Sequence, residues 1–349
     1  MDKHALFRAG LDVLHYSGIA RLAARFFSGC GAIFMLHHVR PRPSRGFAPN
    51  AGLEVTPEFL DEAIRFVKAR GYALMALDEL VALWEAGETE PERPVAIFTL
   101  DDGYRDNADY ALEIFRKHAC PFTVFVAPAY ADGQGELWWS LLEEVIAHNG
   151  RVRPALPGLP EEMRCESDDE KMAVWHALYP AVRWQLGEHE QRRWIRDFCA
   201  RHGVDWQEHC QKEVMDWQAL KALAAEPLCS IGAHTVHHYA LARLPDAEEV
   251  RQEMEISRAR IRQELGIEAN TLAYPYGDAG SADVREFELA AQAGFSIALT
   301  TRKGLLQPEH ALAPTAVPRL SLNGFYQNIR YLDVLLTGAP FALAGRLAG

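Results

Sequence analysis

Two adjacent carboxylates, Asp101 and Asp102, end the apolar run Val95-Ala-Ile-Phe-Thr-Leu, and Gly103 follows with the freedom to turn the chain. Like charges so close raise each other's pKa unless a cation offsets them, so the pair suits a metal or a proton-transfer site. Ordinary Asp-Gly turn chemistry after a strand is the competing reading. A second group, His234-Thr235-Val236-His237-His238, follows another apolar run, Leu228 to Ala233. Side chains three or four positions apart face the same way on a helical turn, so His234 can share one ion with His237 or His238. Two neutral imidazoles and one carboxylate make a zinc site with a position left open for water. Asp102 can supply that carboxylate, which leaves Asp101 off the metal and placed to act as a base.

Residues so far apart in sequence meet only if the elements that carry them converge. Apolar runs at 32–39, 72–77, 95–100, 121–127, 228–233, 270–274, 295–300 and 317–322 read as strands. Helical patterns lie between them: Thr56-Pro57-Glu58 opens one to about Arg70, Asp78 caps the next, and others cover 107–118, 246–265 and 284–293. Strand alternating with helix predicts a parallel sheet, closed as a distorted (β/α) barrel of seven or eight strands. In such folds the C-terminal strand ends share one face, and Asp101, Asp102, His234 and Tyr276 all fall just past strand ends. Residues 137–215 break the alternation with a helix-rich, tryptophan-rich stretch, read as an insertion beside the upper rim. The expected organisation is an amphipathic helical segment over 1–30, the barrel over 31–136 and 216–325, the insertion over 137–215, and a C-terminal helix or tail over 326–349.

Composition narrows the partners. A formal net charge of -12 and a pI near 5.6 leave no basic field to attract phosphates, which excludes nucleic acid. The first 45 residues run the other way, with seven Lys or Arg against Asp2 and Asp12. Residues 5–27 mix apolar and basic positions as amphipathic helices do, fitting either a helix that closes the barrel or peripheral contact of residues 1–28 with an anionic membrane. Six cysteines without a CxxC pair imply reduced thiols. No secretory layout or apolar run of about 18 residues is present, so the expected location is cytoplasmic, at most peripheral to the inner membrane face. Neither a GxSxG elbow nor a GxxxxGK[ST] loop occurs.

Taken in order, Thr99-Leu-Asp101-Asp102-Gly103, His234-Thr-Val-His-His238 and Ala273-Tyr-Pro275-Tyr276-Gly277 resemble the three leading motifs of the polysaccharide deacetylases, the NodB-homology domain of carbohydrate esterase family 4. The resemblance spans about 95–130 and 216–325. It implies a distorted barrel, one divalent metal, usually zinc, and hydrolysis of N-acetyl groups on amino sugars. By resemblance Asp101 matches the catalytic base, and Asp102, His234 and His238 match the metal ligands. Tyr276 matches the donor of a backbone N–H to the oxyanion, and Thr235 a hydroxyl that orients the histidine turn.

Two motif positions depart from the family. The arginine before the third motif's Pro-Tyr is missing, with Leu272-Ala273-Tyr274 in that segment, and Arg319-Leu-Ser-Leu-Asn323 replaces the late Leu-x-His. Arg319 is the candidate to restore the positive charge near Asp101, and His37, at the end of the first strand, is the candidate general acid. The expected function is metal-dependent removal of N-acetyl groups from an amino sugar in a glycan, polysaccharide or lipid-linked precursor. Competing readings are an amidase or deformylase acting on a small non-sugar amide, and a noncatalytic glycan-binding protein on the same scaffold.

Overall fold

The computed structural model describes residues 3–42 and 46–348; Asp2 and Arg45, two of the N-terminal charges counted above, lie outside them. Helices α1 (Lys3–Tyr16) and α2 (Ile19–Phe27) come first. Seven of the strands among the described residues build the barrel: β1 (Gly31–Leu36), β2 (Val95–Leu100), β3 (Phe122–Val126), β4 (Cys229–Ala233), β5 (Thr271–Ala273), β6 (Ile297–Lys303) and β7 (Val317–Ser321). Each pairs in parallel with the next, and β7 returns to β1 through Phe34↔Leu320, so the sheet closes. The barrel therefore has seven strands. A two-residue strand, Ala73–Leu74, lies against the first residues of β2 without entering the closed circuit.

Closure explains the continuous apolar runs, because a strand in such a barrel is buried on both faces. Inward positions Ile33, Ile97, Phe125, Ala273, Ile297 and Val317 pack together, floored by Leu77 and Leu80. Outward positions Phe34, Leu36, Phe98, Leu100, Val124 and Leu272 pack against surrounding helices. These include α3 (Pro57–Ala69), α4 (Leu77–Glu85), which lies under the floor, and α5 (Leu112–His118). The alternation has a consequence for chemistry. His37, Asp101 and His234 continue the inward parity of β1, β2 and β4 at the C-terminal mouth, and Arg319 shares the inward parity of β7.

Between β3 and β4 the chain forms α6 (Trp138–His148), α7 (Asp168–Pro180), α8 (Glu188–Arg201), α9 (Trp206–Glu213) and α10 (Trp217–Ala224). The first four share a second apolar core, with Trp138, Leu142, Trp175, Trp194 and Phe198 among its members. That core reaches the C-terminal mouth of the barrel, since Tyr104, Tyr130 and Tyr276 pack into it. Two backbone hydrogen bonds tie its far end to the chain just after the aspartates: Met215 N–H to Gly103 O (3.0 Å) and Arg105 N–H to Glu213 O (2.8 Å). After β4 come α11 (Ala247–Leu265) and α12 (Val284–Gln292), and after β7 come α13 (Ile329–Leu335) and α14 (Ala339–Ala348). No helix among the described residues is long and apolar enough to cross a membrane.

Local details differ from the sequence reading. Ala76, not Asp78, precedes α4, and its N–H is satisfied by the Glu79 carboxylate at 2.8 Å. The helix expected over 107–118 opens with a wide turn at Asn107–Ala111, which lets Asp106 and Asn107 reach the end of β1. The final helix is split into α13 and α14.

Gly232 in β4 points inward, where an added Cβ would stand 2.4 Å from the Phe125 ring and 2.6 Å from Thr271 Oγ1. Gly232→Ala is expected to destabilise the fold by about 1–3 kcal/mol through overpacking. Urea denaturation measures this, and an unchanged midpoint would contradict the interior packing.

Candidate active site

The chain leaves β2 through Asp101 and immediately adopts a left-handed conformation at Asp102 (φ 72°), which brings two successive carboxylates to one mouth. Thr235 (φ 60°), His238 (φ 57°) and Tyr276 (φ 59°) are also left-handed. Four of the six described non-glycine residues with positive φ thus lie in the three motifs. Such conformations cost about 1–3 kcal/mol each and persist where surrounding contacts impose them, as functional sites commonly do.

Asp102, His234 and His238 are all buried and form a group able to hold a metal ion, with one donor atom from each within 4.8 Å of the others. Asp102 Oδ1 lies 3.4 Å from His234 Nε2 and 3.2 Å from His238 Nε2. His234 Nδ1–H donates to Ala273 O at 2.7 Å, which directs the Nε2 lone pair at the carboxylate side. Neither Asp102 oxygen has a hydrogen-bond donor among the described residues. A buried carboxylate so placed is costly, and a divalent cation held between it and two imidazole nitrogens removes the cost. The donor set therefore fits zinc. Burial pushes the His238 imidazole down to about 4 against the opposing pull of Asp102, so at neutral pH it is in its neutral, ligating form. Burial opposes charge on His234 as well, but its contact with Asp102 and the two carboxylates win and raise its pKa. The site attracts positive charge.

Asp101 is held differently. Arg319 Nη1 and Nη2 donate to its two oxygens at 2.7 Å each, Nη1 also donates to Thr99 Oγ1 (3.1 Å), and Nε donates to Thr300 O (3.0 Å). Burial raises the Asp101 pKa, yet the adjacent Arg319 charge and its hydrogen bonds outweigh that and hold the carboxyl below the usual range. His37 is half-buried at the end of β1. Burial lowers its pKa, opposed by the charges of Asp102 and Asp101. Its backbone oxygen accepts from Asn107 Nδ2 (2.8 Å), and Asp106 accepts from His38 Nδ1 (2.8 Å) and Val39 N–H (3.2 Å). Tyr276 N–H has no acceptor among the described residues, while its hydroxyl accepts from Trp138 Nε1 at 2.6 Å.

The structure thus brings together Asp101, Asp102, His234, His238 and Arg319, with His37 in the field of both carboxylates. Between the two histidines left open by spacing, His238 turns toward Asp102. His237 turns away to Glu253 Oε1 at 2.6 Å. The expected role of Thr235 does not hold: its hydroxyl has no partner among the described residues. Glu253 on α11 orders the turn instead, since its Oε2 accepts from Val236 N–H and His237 N–H at 2.9 Å each. On the opposite side Arg192 of α8 donates to His238 O (2.9 Å) and His237 O (3.2 Å). Tyr130, Trp139 and Tyr276 surround the His238 ring at centroid distances of 5.6, 5.1 and 4.9 Å. Sequence reading missed Glu253 and Arg192, although each carried a signal. Glu253 interrupts the buried stripe of Val250, Met254, Ser257 and Ile261, and Arg192 sits among the buried Gln191, Ile195 and Cys199. A charge on a core-facing stripe implies a specific partner.

Beside this centre lies a cavity of about 350 Å³ that shares none of the three side chains Asp102, His234 and His238. Trp139 and Phe47 give it aromatic faces, and His38, Asn50 and Glu213 give it polar ones.

A closed seven-stranded parallel barrel with one carboxylate and two imidazoles at its mouth defines the class, a NodB-like barrel. Residues 180–298 match the family model described as polysaccharide deacetylase, and over that stretch the chain is similar to carbohydrate deacetylases, which act on carbon–nitrogen bonds. The matched stretch contains the histidine turn and Tyr276 but not the aspartates, which the fold brings to them. Among solved structures the chain is similar to the Streptococcus pyogenes deacetylase PplD in complex with acetate, at 17% identity over 88% of this chain and 97% of that one, with a TM-score of 0.57. It is similar to IcaB from Ammonifex degensii at 17% identity over 89% and 97%, with a TM-score of 0.55. The deacetylase domain of BpsB from Bordetella bronchiseptica follows at 16% identity over 83% and 95%, with a TM-score of 0.52. These likenesses establish the fold. No curated protein sequence matches the chain.

Glu253→Ala leaves two backbone N–H groups of the histidine turn without their acceptor, and is expected to weaken zinc binding about 10- to 100-fold. Competition with a chromophoric chelator reads this directly. His237→Ala should keep the metal and His238→Ala lose it; the reverse order would overturn the assignment.

Proposed function

We propose that the protein removes the acetyl group from an N-acetylated amino sugar, in a glycan, polysaccharide or lipid-linked precursor, at the centre built on Asp101 and Asp102. The observation that carries this is the separation of the two neighbouring carboxylates: Asp102 against both imidazoles, Asp101 with both oxygens on Arg319. A site that only bound metal or sugar would have no use for a second buried carboxylate kept ionised by its own arginine.

Asp102, His234 and His238 would hold one divalent cation, which as zinc supplies Lewis acidity to a water molecule and to the acetamide carbonyl. Asp101 accepts the proton of the attacking water, for which each of its oxygens retains a lone pair beyond the Arg319 hydrogen bond. Arg319 orients that carboxylate and keeps it charged. As the water oxygen bonds to the carbonyl carbon, negative charge grows on the carbonyl oxygen, and the free Tyr276 N–H donates to it. Cleavage of the carbon–nitrogen bond needs a proton on the leaving amine, and His37, beside Asp101 at the end of the neighbouring strand β1, delivers it. Acetate and a free amino sugar result. The adjoining cavity with Trp139 and Phe47 suits sugar rings, which stack apolar faces on aromatic side chains and present hydroxyls to polar ones. We place the reaction on an intracellular substrate at the cytoplasmic side.

Acetate release from a panel of N-acetylated saccharides, lipid-linked sugars and simple acetamides tests this reading, with bound metal quantified in parallel. Activity on the sugars is expected, lost on chelation and restored by zinc. Asp101→Asn should lower turnover about 10²- to 10⁴-fold with metal content unchanged. Release from simple acetamides alone would favour an amidase, and no release from metal-loaded protein would overturn the proposal. His37→Ala should lower turnover sharply with metal retained; unchanged turnover removes His37 from the mechanism. Arg319→Met, which strands a buried carboxylate, should reduce stability by about 3–5 kcal/mol as well as turnover.

A further inference from the structure

The N-terminal helices are built inside out. The exposed positions of α1 include Leu6, Ala9, Gly10, Val13 and Tyr16, a stripe of i, i+3, i+4 and i+7 spacing without a charge. Three polar members of the helix face the protein instead: His4 Nδ1 hydrogen-bonds the Tyr326 hydroxyl, Asp12 pairs with Arg330 at 2.8 Å, and His15 lies 3.9 Å from Asp333. On α2, Ile19, Leu22 and Phe26 form a second exposed apolar ridge, while Ala20 packs inward with Leu11, Tyr331 and Val334. Leu6, Val13, Tyr16, Ile19, Leu22 and Phe26 are each more than half exposed. Elsewhere among the described residues, large exposed apolar side chains are scattered rather than gathered on one element. The hairpin already has a satisfied inner face, so the outer ridge is an additional apolar surface.

We infer that this ridge docks on an anionic lipid bilayer. Charge selects that occupant. Arg21 and Arg25 are exposed beside the α2 ridge and form no ion pair among the described residues, and α2 carries no acid. Asp12 is matched by Arg330. The whole chain carries a net charge of -12, so an anionic surface repels the rest of the molecule and attracts this face alone, which orients the protein. Apolar side chains flanked by arginines on a short helix are the composition of an interfacial element that lies in the headgroup layer. The inner face of α1, behind the ridge, packs on the segment that leaves the C-terminal end of β7, where the His4 ring lies 4.5 Å from that of Phe325. Resting on the deacetylase reading, this points to a sugar carried on a lipid as the substrate. The docking itself does not depend on that reading.

Co-sedimentation of the full chain with vesicles of phosphatidylcholine, alone or with about one part in three phosphatidylglycerol, at low and high salt, tests the inference. Binding to the anionic vesicles is expected, weakened by salt. Arg21→Glu with Arg25→Glu should weaken it by about fivefold or more per arginine. Leu22→Glu with Phe26→Glu should abolish it, and thermal unfolding checks that both exposed double variants fold. Absence of binding, or equal binding by wild type and both variants, overturns the proposal. So does a wild-type dimer that dissociates on Leu22→Glu with Phe26→Glu, because the ridge then joins two copies of the chain. Acetate release from a soluble saccharide, measured on the same variants, should match wild type. Docking without acetate release from any substrate would sink the deacetylase reading and leave the membrane surface standing.

Discussion

Two carboxylates buried side by side impose the demand that the rest of this structure answers. In a dry environment their mutual repulsion would drive a proton onto one of them. The protein keeps both ionised by giving each a different positive or polarisable partner. Asp101 receives the fork of Arg319, and Asp102 receives two imidazoles and the cation they can hold. A shared partner would make the two groups interchangeable. Separate partners make them chemically distinct, and the proposed function uses that difference, with Asp101 as base and Asp102 as ligand.

Meeting that demand requires segments far apart in sequence to be placed within a few ångströms, and the closed barrel does this with strand parity. Inward positions at the ends of β1, β2 and β4 bring His37, Asp101 and His234 to one opening, and β7 sends Arg319 to it. The strained turns at Asp102, Thr235, His238 and Tyr276 complete the geometry, and contacts from outside the barrel hold the histidine turn in place. Glu253 holds its N–H groups and Arg192 its carbonyls, so a helix behind the barrel and a helix of the insertion grip it from two sides. The insertion thus has a mechanical part in the site as well as walling the adjoining cavity. Trp139 of the insertion joins Tyr130 and Tyr276 around His238, and their burial of the ring favours the neutral imidazole.

Much of this could be read along the chain. The apolar runs end where strands end, and the Asp-Asp-Gly and His-Thr-Val-His-His groups identify themselves by residue type. Strand and helix alternate legibly enough to predict a barrel, and the N-terminal mixture of arginine and apolar residues stood out against an acidic chain. Other features were hidden because they depend on distant partners. The missing arginine of the third motif could only be matched with Arg319 as a guess, since no spacing links position 319 to position 101. Motif position matches Thr235 to the residue that orients the turn, but three hydrogen bonds accepted by Glu253 do that work. Asp78 resembled a helix cap, while the Glu79 side chain reaches back to Ala76 instead.

By itself the sequence determined the inventory: which groups can ligate, accept a proton or end a strand, because ionisable chemistry and backbone preference are local properties of residue types. Tertiary structure decided the assignments. It chose His238 over His237, gave Asp101 to Arg319, and turned the apolar side of α1 toward solvent. Each of those choices rests on burial and on partners supplied by another segment, and the energies that enforce them exist only once the chain has closed around the site.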